Sequence, residues 1–540
     1  MTRNQPKSKS PQQPLGQRYR QALALINARQ FEAARKICLG IAKETPDEPD
    51  VHKLLAMIAY QSKDSAGAIT HFQRALTINP DDMGTRLNLA KTYRDFHKFV
   101  EAAAVLESAA QCAPGDMSIL YDLAKAYQQL GRHGDAARCF RQVLPKSETP
   151  NIVETNLATA LMNMGAIDDA EAHYTAVIGR APDFLPALIN LAILRDIQGR
   201  MDEALAILDR AIALHPQNAD IHFHHALALI ARGRLAEGWA EYVWRFERPA
   251  VTTLHNHFPT PYWNGEPLDG RTLLVWTEQG LGDEILLASM IPDVLERGAQ
   301  CTLVCTNRLA PLFQHSFPSA KILTREDMKT DIAPARGAHY QASLSQLGFR
   351  LRPSFESFPQ RKSYLKADEA EASALRTRYL QGSPDRLVGI AWQSGNPQAG
   401  AEKSTPLTAW ADILRVPGYR FVSLQYGDRT NALRELQEQT GLSITVDEDI
   451  RSDRDMRQFA AQVAAMDLVI SVSNTTVHFA GALGVPVWTL LPSSVGRIWY
   501  WFLDRSDSPW YPSMRLFRQE RGKDWSAVLE SVARELRQWP

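Results

Sequence analysis

Residues 182–216 read PDFLPALINLAILRDIQGRMDEALAILDRAIALHP, and four kinds of position in this stretch decide how the first half of the chain folds. Pro182 and Pro216 are 34 residues apart, and Pro46, Pro80 and Pro114 keep the same register, with Glu148 in the vacant slot and Pro150 just beyond it. Ala192 belongs to a series with Ala22, Ala56, Ala90, Ala124, Ala158 and Ala226. Ala204 belongs to a second with Ala34, Ala68, Ala102, Ala136 and Ala170, continued by Gly238, and Gly199 to a third with Gly131, Gly165 and Gly233. Three interleaved series at one period describe a repeated helix–turn–helix unit. The alanines mark close approach of paired helices, the glycine ends the first helix in a left-handed turn, and the proline ends the second. Leu55, Leu89, Leu123, Leu157 and Leu191, each just before a first-series alanine, are the expected core.

These features resemble the tetratricopeptide repeat, with seven units across residues 15–248, the last imperfect. The resemblance implies a solenoid whose concave face takes a protein or peptide. The cluster His222-Phe-His224-His225 invites a metal reading, but it lies on the first helix of the seventh unit and His225 fills the leucine slot, so packing is the expectation. His255 and His257 fall in the following linker without partner ligands nearby in sequence.

A chain of 540 residues exceeds a single core. Lys and Arg together number 60, as do Asp and Glu, so net charge gives no reason to expect a nucleic-acid or membrane-surface partner. Five dispersed cysteines show neither zinc spacing nor a disulfide framework, which fits a reducing, cytoplasmic setting. The polar, proline-rich residues 1–14 read as a disordered leader, and no apolar run of about 18 residues suggests a membrane span.

An irregular connector, 249–270, is followed by alternating strand-like and helix-like runs: TLLVW (272–276), CTLVC (301–305), AKIL (320–323), LVGIAW (387–392), RFVSLQ (420–425), DLVIS (467–471) and PVWTLL (486–491). Such alternation predicts parallel sheets covered by helices, divided near 350–385 into lobes at 271–385 and 386–540. A closing amphipathic segment, 523–539, is expected to lie back across the lobes. Ligands of open α/β sheets sit off the carboxyl ends of the strands, so the loops after these runs carry the candidate chemistry.

Three loops stand out. In TEQGLGDEI (277–285), Gly280 and Gly282 permit a tight turn and close backbone approach, and Asp283 opens a helix; Ile285 occupies the third glycine position of a dinucleotide fingerprint, which therefore fails. Asp283 reads equally as an acid favouring a helix start. In WQSGNPQAGAEKSTPL (392–407), the loop at Asn396 and the cation of Lys403 can meet a phosphate, or the loop can be solvated surface. In SNTTVHFAGALG (473–484), Ser473, Asn474, Thr475 and Thr476 present hydroxyls and amides at a positive helix end, which suits a diphosphate, with His478 on the first turn as a ligand or a buried structural histidine. Gly481 and Gly484 are expected to let that helix pack closely on its sheet.

Together with WYWFLDRSDSPWYPSMRLFRQ, these motifs resemble bacterial glycosyltransferases that carry N-terminal tetratricopeptide repeats. The second half is similar to the ADP-heptose:lipopolysaccharide heptosyltransferase family, and the layout resembles that of protein O-GlcNAc transferases. The resemblance implies an α-solenoid followed by an α/β GT-B glycosyltransferase domain of two Rossmann-like lobes. It implies a metal-independent inverting transfer from a nucleotide-sugar, with Asp283 as base and Ser473–Thr476, His478 and Lys403 on the donor. Ser473-Asn474-Thr475 stands where heptosyltransferases carry Asp-Thr-Gly, so heptose is not implied. The repeats imply a protein acceptor, such as flagellin, over a glycan or lipid-linked one. Asp447-Glu-Asp449 and Asp453-Arg-Asp455 read as solvated carboxylates before a helix rather than a metal motif, and Trp499–Phe502 as packing between lobes. The competing reading is a non-enzymatic repeat scaffold with a degenerate α/β half.

Overall fold

The computed structural model describes residues 14–248, 258–277, 280–396, 400–450, 456–493 and 498–539. The leader at 1–13, connector residues 249–257 with His255 and His257, and Asp453 and Asp455 lie outside the described residues.

Paired helices run from Leu15–Asn27 and Phe31–Glu44 through to Ala219–Ala231 and Leu235–Tyr242, the last followed by a 3-10 turn, Val243–Glu247. No residue of the two alanine series is more than 2% exposed, so each is a point of helix–helix approach and not a surface choice of a good helix former. Gly131, Gly165, Gly199 and Gly233 all have φ between 71° and 84°. The same slot in the first three units holds Arg29, Lys63 and His97, also at positive φ, so those turns bear a cost of about 1–2 kcal/mol each that glycine avoids.

The chain divides into two compact units after Leu194, inside the Leu185–Ile197 helix. The first unit is repeat alone. The second contains the last repeat helices together with the whole α/β half.

In the second unit, strands β1 (Thr272–Trp276), β2 (Gln300–Cys305), β3 (Lys321–Thr324) and β4 (Tyr340–Ser343) form a parallel sheet in the order β3-β2-β1-β4. Strands β5 (Arg386–Ala391), β6 (Tyr419–Ser423), β7 (Leu468–Val472), β8 (Val487–Leu491), β9 (Asp507–Ser508) and β10 (Tyr511–Arg518) form a second, ordered β6-β5-β7-β8-β10-β9 and parallel except for β9 against β10. The strand order reverses at β1/β4 in one sheet and β5/β7 in the other, and a crevice opens at such reversals.

The apolar runs of the sequence become β1–β3 and β5–β8, whereas β4, β9 and β10 have no such signal. β4 carries buried Gln341, whose side chain accepts from Trp276 Nε1 at 3.1 Å and donates to Phe258 O at 3.2 Å. β10 carries exposed Pro512 and Arg515, so it lacks a continuous apolar run. The closing helix, Ser526–Gln538, does not lie across the lobes: Val528, Leu529, Val532 and Leu536 join the core under β5 and β7, with Trp410 and Phe517.

The seventh repeat is built into the α/β core. Ala226, Ile230, Trp239 and Tyr242 share one cluster with Leu273, Ile285, Leu347, Phe479 and Tyr511. Trp239 donates from Nε1 to Arg352 O at 3.0 Å, and its indole lies 2.7 Å from where a Cβ on Gly348 would sit, so only glycine fits there. Trp499 packs edge-on against Trp239 and Tyr500, and Trp501 stacks on His478. The aromatic string therefore joins the last repeat to both lobes.

Candidate functional site

The first candidate loop leaves β1 and enters the Leu281–Ala288 helix with Gly280 as N-cap. Asp283 is on the first turn, where it accepts from the Gly280 N–H and favours the positive helix end. Burial pushes its pKa up to about 6, against the pull of Arg245, the Gly280 amide and Lys403. As a residue Asp283 is half-buried, and its carboxyl is the part that burial affects. Gly282 is needed for a different reason than loop flexibility. A Cβ there would meet His478 Cδ2 at 2.9 Å, so this glycine lets the two lobes close on each other.

Glu284, beside Asp283 in sequence, turns the other way. It is 1% exposed, accepts from Arg325 Nη2 at 2.7 Å and from Thr306 N and Oγ1, each at 3.2 Å, and burial pushes its pKa up to about 7. It ties the helix start to the loop after β2.

The loop after β5 is held by side chains from the β6 loop. Gln425 Oε1 accepts from Trp392 N and Gln393 N at 3.0 and 2.9 Å, and Tyr426 OH accepts from Gly395 N at 2.7 Å. Asn396 is exposed at the tip, and 397–399 lie outside the described residues. The loop returns through Gly400–Lys403, which buries Lys403 to 5% exposure. Burial lowers the Lys403 pKa while Asp283 raises it. Among the described residues the ammonium has no hydrogen-bond or ion-pair partner.

The loop after β7 separates into two sets. Ser473 Oγ accepts from Trp501 Nε1 at 2.9 Å. Asn474 caps the Thr475–Leu483 helix by accepting from Thr476 N at 3.0 Å and donates from Nδ2 to Gln393 O at 3.0 Å, which bridges the two loops of the β5/β7 reversal. His478 is 2% exposed, with Nδ1 2.9 Å from Tyr511 OH and Nε2 3.3 Å from Tyr500 OH. Those three are engaged within the protein. Thr475 and Thr476 instead face a cavity, and Thr476 Oγ1 is buried without a hydrogen-bond partner among the described residues. Gly481 packs against the Tyr511 ring, as its reading expected; Gly484 instead ends the helix at φ 76° against the Lys362 backbone.

The cavity, about 560 Å³, opens off the ends of β6 and β7, within the range of small-ligand sites. Met456, Phe459 and Phe479 give it an apolar wall, Thr475 and Thr476 a helix N-terminus, and Arg308 and Arg429 two guanidinium groups. Asp447 and Glu448 also line it. Asp447 is not a solvated carboxylate: its side chain is 5% exposed, pairs with Arg378 and accepts from Tyr379 OH at 2.6 Å. Asp449 is solvated, at 85%.

The histidine cluster packs. His222 stacks on Trp244 with ring centroids 4.2 Å apart, pairs with Glu241 through Nδ1 and donates from Nε2 to Pro216 O at 3.0 Å. Arg245 and Arg308 escaped the sequence reading. No local pattern marks them, since Arg245 ends the last repeat and meets Asp283 only through the fold.

Profiles of the tetratricopeptide-repeat family match residues 19–82, 155–219 and 190–242, and a second such profile matches 93–152. Protein FlbA of Caulobacter vibrioides (strain ATCC 19089 / CIP 103742 / CB 15) is 33% identical over 377 residues, 66% of this chain and 62% of that protein. The chain thus matches less than two thirds of that relative's length. Among solved structures, a tetratricopeptide repeat protein from Parabacteroides merdae ATCC 43184 aligns at TM-score 0.39 and 15% identity, covering 43% of this chain and 93% of the other. YrrB, a repeat protein described as having an unusual peptide-binding site, aligns at 0.29 and 18%, covering 33% and 92%. No described helix is long and apolar enough to cross a membrane. The N-terminal half of this chain is a helical tetratricopeptide-repeat array, joined to an α/β region of two sheets.

Proposed function

We propose that the chain is a metal-independent, inverting GT-B glycosyltransferase, moving a sugar from a nucleotide-sugar to an acceptor, a protein held by the repeats. The observation that carries this reading is Lys403: a side chain 5% exposed at the β5/β7 reversal, with no hydrogen bond or ion pair among the described residues and with the Asp283 charge raising its pKa against burial. Burying a lysine side chain disfavours its charged form, and a cation placed there at a helix-start crevice is suited to receive an anion.

In this reading the nucleoside lies in the cavity against Met456, Phe459 and Phe479, and the diphosphate meets the Thr475–Thr476 helix end and Lys403. The acceptor hydroxyl attacks the anomeric carbon opposite the leaving group. The new C–O bond forms as the bond to phosphate breaks, the diphosphate leaves with that electron pair, and Asp283 takes the hydroxyl proton. Lys403 and the helix amides supply the charge that offsets the leaving group.

A base works ionised. With the Asp283 pKa raised to about 6, the carboxylate is lost as pH falls through that value. The pH profile of kcat/KM is therefore expected to fall tenfold per unit below about 6 and to be flat above it. A profile flat down to pH 4 would exclude Asp283 as the base.

The reading itself is tested by thermal shift with nucleoside diphosphates. One of them should stabilise the wild type, and Lys403→Met should lose most of that shift while its ligand-free melting temperature holds or rises, because burial disfavours the lysine charge and not the methionine. A second reading, a repeat scaffold with an inactive α/β half, is favoured by the inward engagement of Ser473, Asn474 and His478. It is preferred if no nucleotide or nucleotide-sugar binds.

A further inference from the structure

The first helices of repeat units one to five are Leu15–Asn27, Pro49–Gln61, Met83–Asp95, Met117–Gln129 and Pro150–Asn163, all within the first compact unit. Side-chain hydrogen bonds tie each to the next from unit two onward. Tyr60 donates to Asp95 at 2.5 Å, Arg94 to Asp122 at 2.6 Å, and Asn156 to Tyr121 OH at 3.2 Å. The slot just after the first alanine series lies on this linked face: Lys91 sits over the Tyr60 ring at 5.9 Å, and Thr159 Oγ1 accepts from Asn190 at 3.2 Å. Its occupants change along the array, from Leu23 and Met57 to Lys91 and Lys125 and then Thr159.

Leu23 and Met57, at the same slot of neighbouring units, are 42% and 39% exposed. The charges beside them are unevenly matched. Every carboxylate of these five helices is paired in the chain: Asp50 with Lys53, Asp95 and Asp122 with Arg94, and Glu154 with Arg180. Lys91 and Lys125 have no ion-pair partner among the described residues. The acids within a helical turn of them, Asp95 and Asp122, are the two that Arg94 already holds. Arg20, exposed at the slot that Asp122 and Asn156 fill in units four and five, is likewise without an ion pair among the described residues. The face therefore joins apolar surface to unmatched positive charge.

We infer that the first-helix face of units one to four binds a polypeptide segment whose apolar side chains lie over Leu23 and Met57 and whose carboxylates meet Lys91 and Lys125. Packed helices stand about 10 Å apart and an extended chain advances about 3.3 Å per residue, so one contact per unit falls at roughly every third residue. The segment is then about ten residues long, with apolar side chains at one end and acids at the other. A basic segment would leave the lysines unmatched, and one without apolar residues would leave Leu23 and Met57 in water. That the segment belongs to a sugar acceptor rests on the transferase reading; that it binds does not.

The test is fluorescence anisotropy of labelled synthetic peptides with the full chain, without nucleotide. The peptides carry two leucines and two glutamates spaced about three residues apart, in either order along the chain. One of them should bind about tenfold or more tightly than its counterparts with lysines for the glutamates or serines for the leucines, and its affinity should fall as salt rises. Lys91→Glu with Lys125→Glu should weaken that peptide about tenfold and make the lysine peptide the tighter ligand, an exchange that a disturbed fold would not produce. Leu23→Ser with Met57→Ser should weaken it and keep the preference for acid over base. Acidic and basic peptides that bind alike, a preference that survives the charge reversal, or a single-stranded oligonucleotide that binds this face more tightly than the peptide would each overturn the inference. Peptide binding by a chain that transfers no sugar upholds it and defeats the transferase reading alone.

Discussion

Asp283→Asn is expected to lower kcat by about 10²–10⁴-fold and leave nucleoside diphosphate affinity within a few-fold of wild type. Asparagine keeps an oxygen to accept from the Gly280 amide, so the helix start survives, and Lys403 and Thr475–Thr476 are untouched. What it lacks is the lone pair that takes the proton. Steady-state kinetics with calorimetric titration of the nucleotide separate the two effects. Retention of activity within tenfold would move the base elsewhere, and the buried Glu284 is excluded by its engagement with Arg325 and Thr306.

The second large effect concerns where the chain can be cut. Residues 195–540 are expected to fold alone, whereas 249–540 should not. Starting at 249 removes Ala226, Ile230, Leu235, Trp239 and Tyr242 from the shared core. It leaves the Trp239 seat over Gly348 empty and the Arg352 carbonyl without its donor. Loss of one large core side chain costs about 2–5 kcal/mol, and a domain holds about 5–15 kcal/mol in total, so several such losses exceed the margin. Arg245 would go as well, and with it a cation that lowers the Asp283 pKa. Circular dichroism melts of the two fragments decide the matter; a cooperative transition in 249–540 near that of 195–540 would show the last repeat to be dispensable.

The repeats were legible because a stacked unit forces the same small residue into the same contact every 34 positions, and the buried alanines show that contact directly. Strands β1, β2, β5, β7 and β8 were legible because both faces are covered, which leaves continuous apolar runs. β10 was not, because Pro512 and Arg515 interrupt it at a less buried edge of the sheet. Within the candidate site, sequence singled out the loops after β1, β5 and β7 but treated their polar residues alike. Whether a serine or histidine faces a ligand or a neighbour depends on long-range partners. Trp501 holds Ser473, and Tyr500 and Tyr511 hold His478, from segments with no local link to the β7 loop. Arg245 shows the same limit, since its meaning comes from a repeat that folds into the α/β core.

The most direct test is a structure of the chain with a nucleoside diphosphate bound. The account predicts the base against Met456, Phe459 and Phe479 and the phosphates at the Thr475 amide, the Thr476 hydroxyl and the Lys403 ammonium, within hydrogen-bond distance. Saturating nucleotide that leaves this cleft empty, or phosphates bound elsewhere with Lys403 still unpaired, would contradict it.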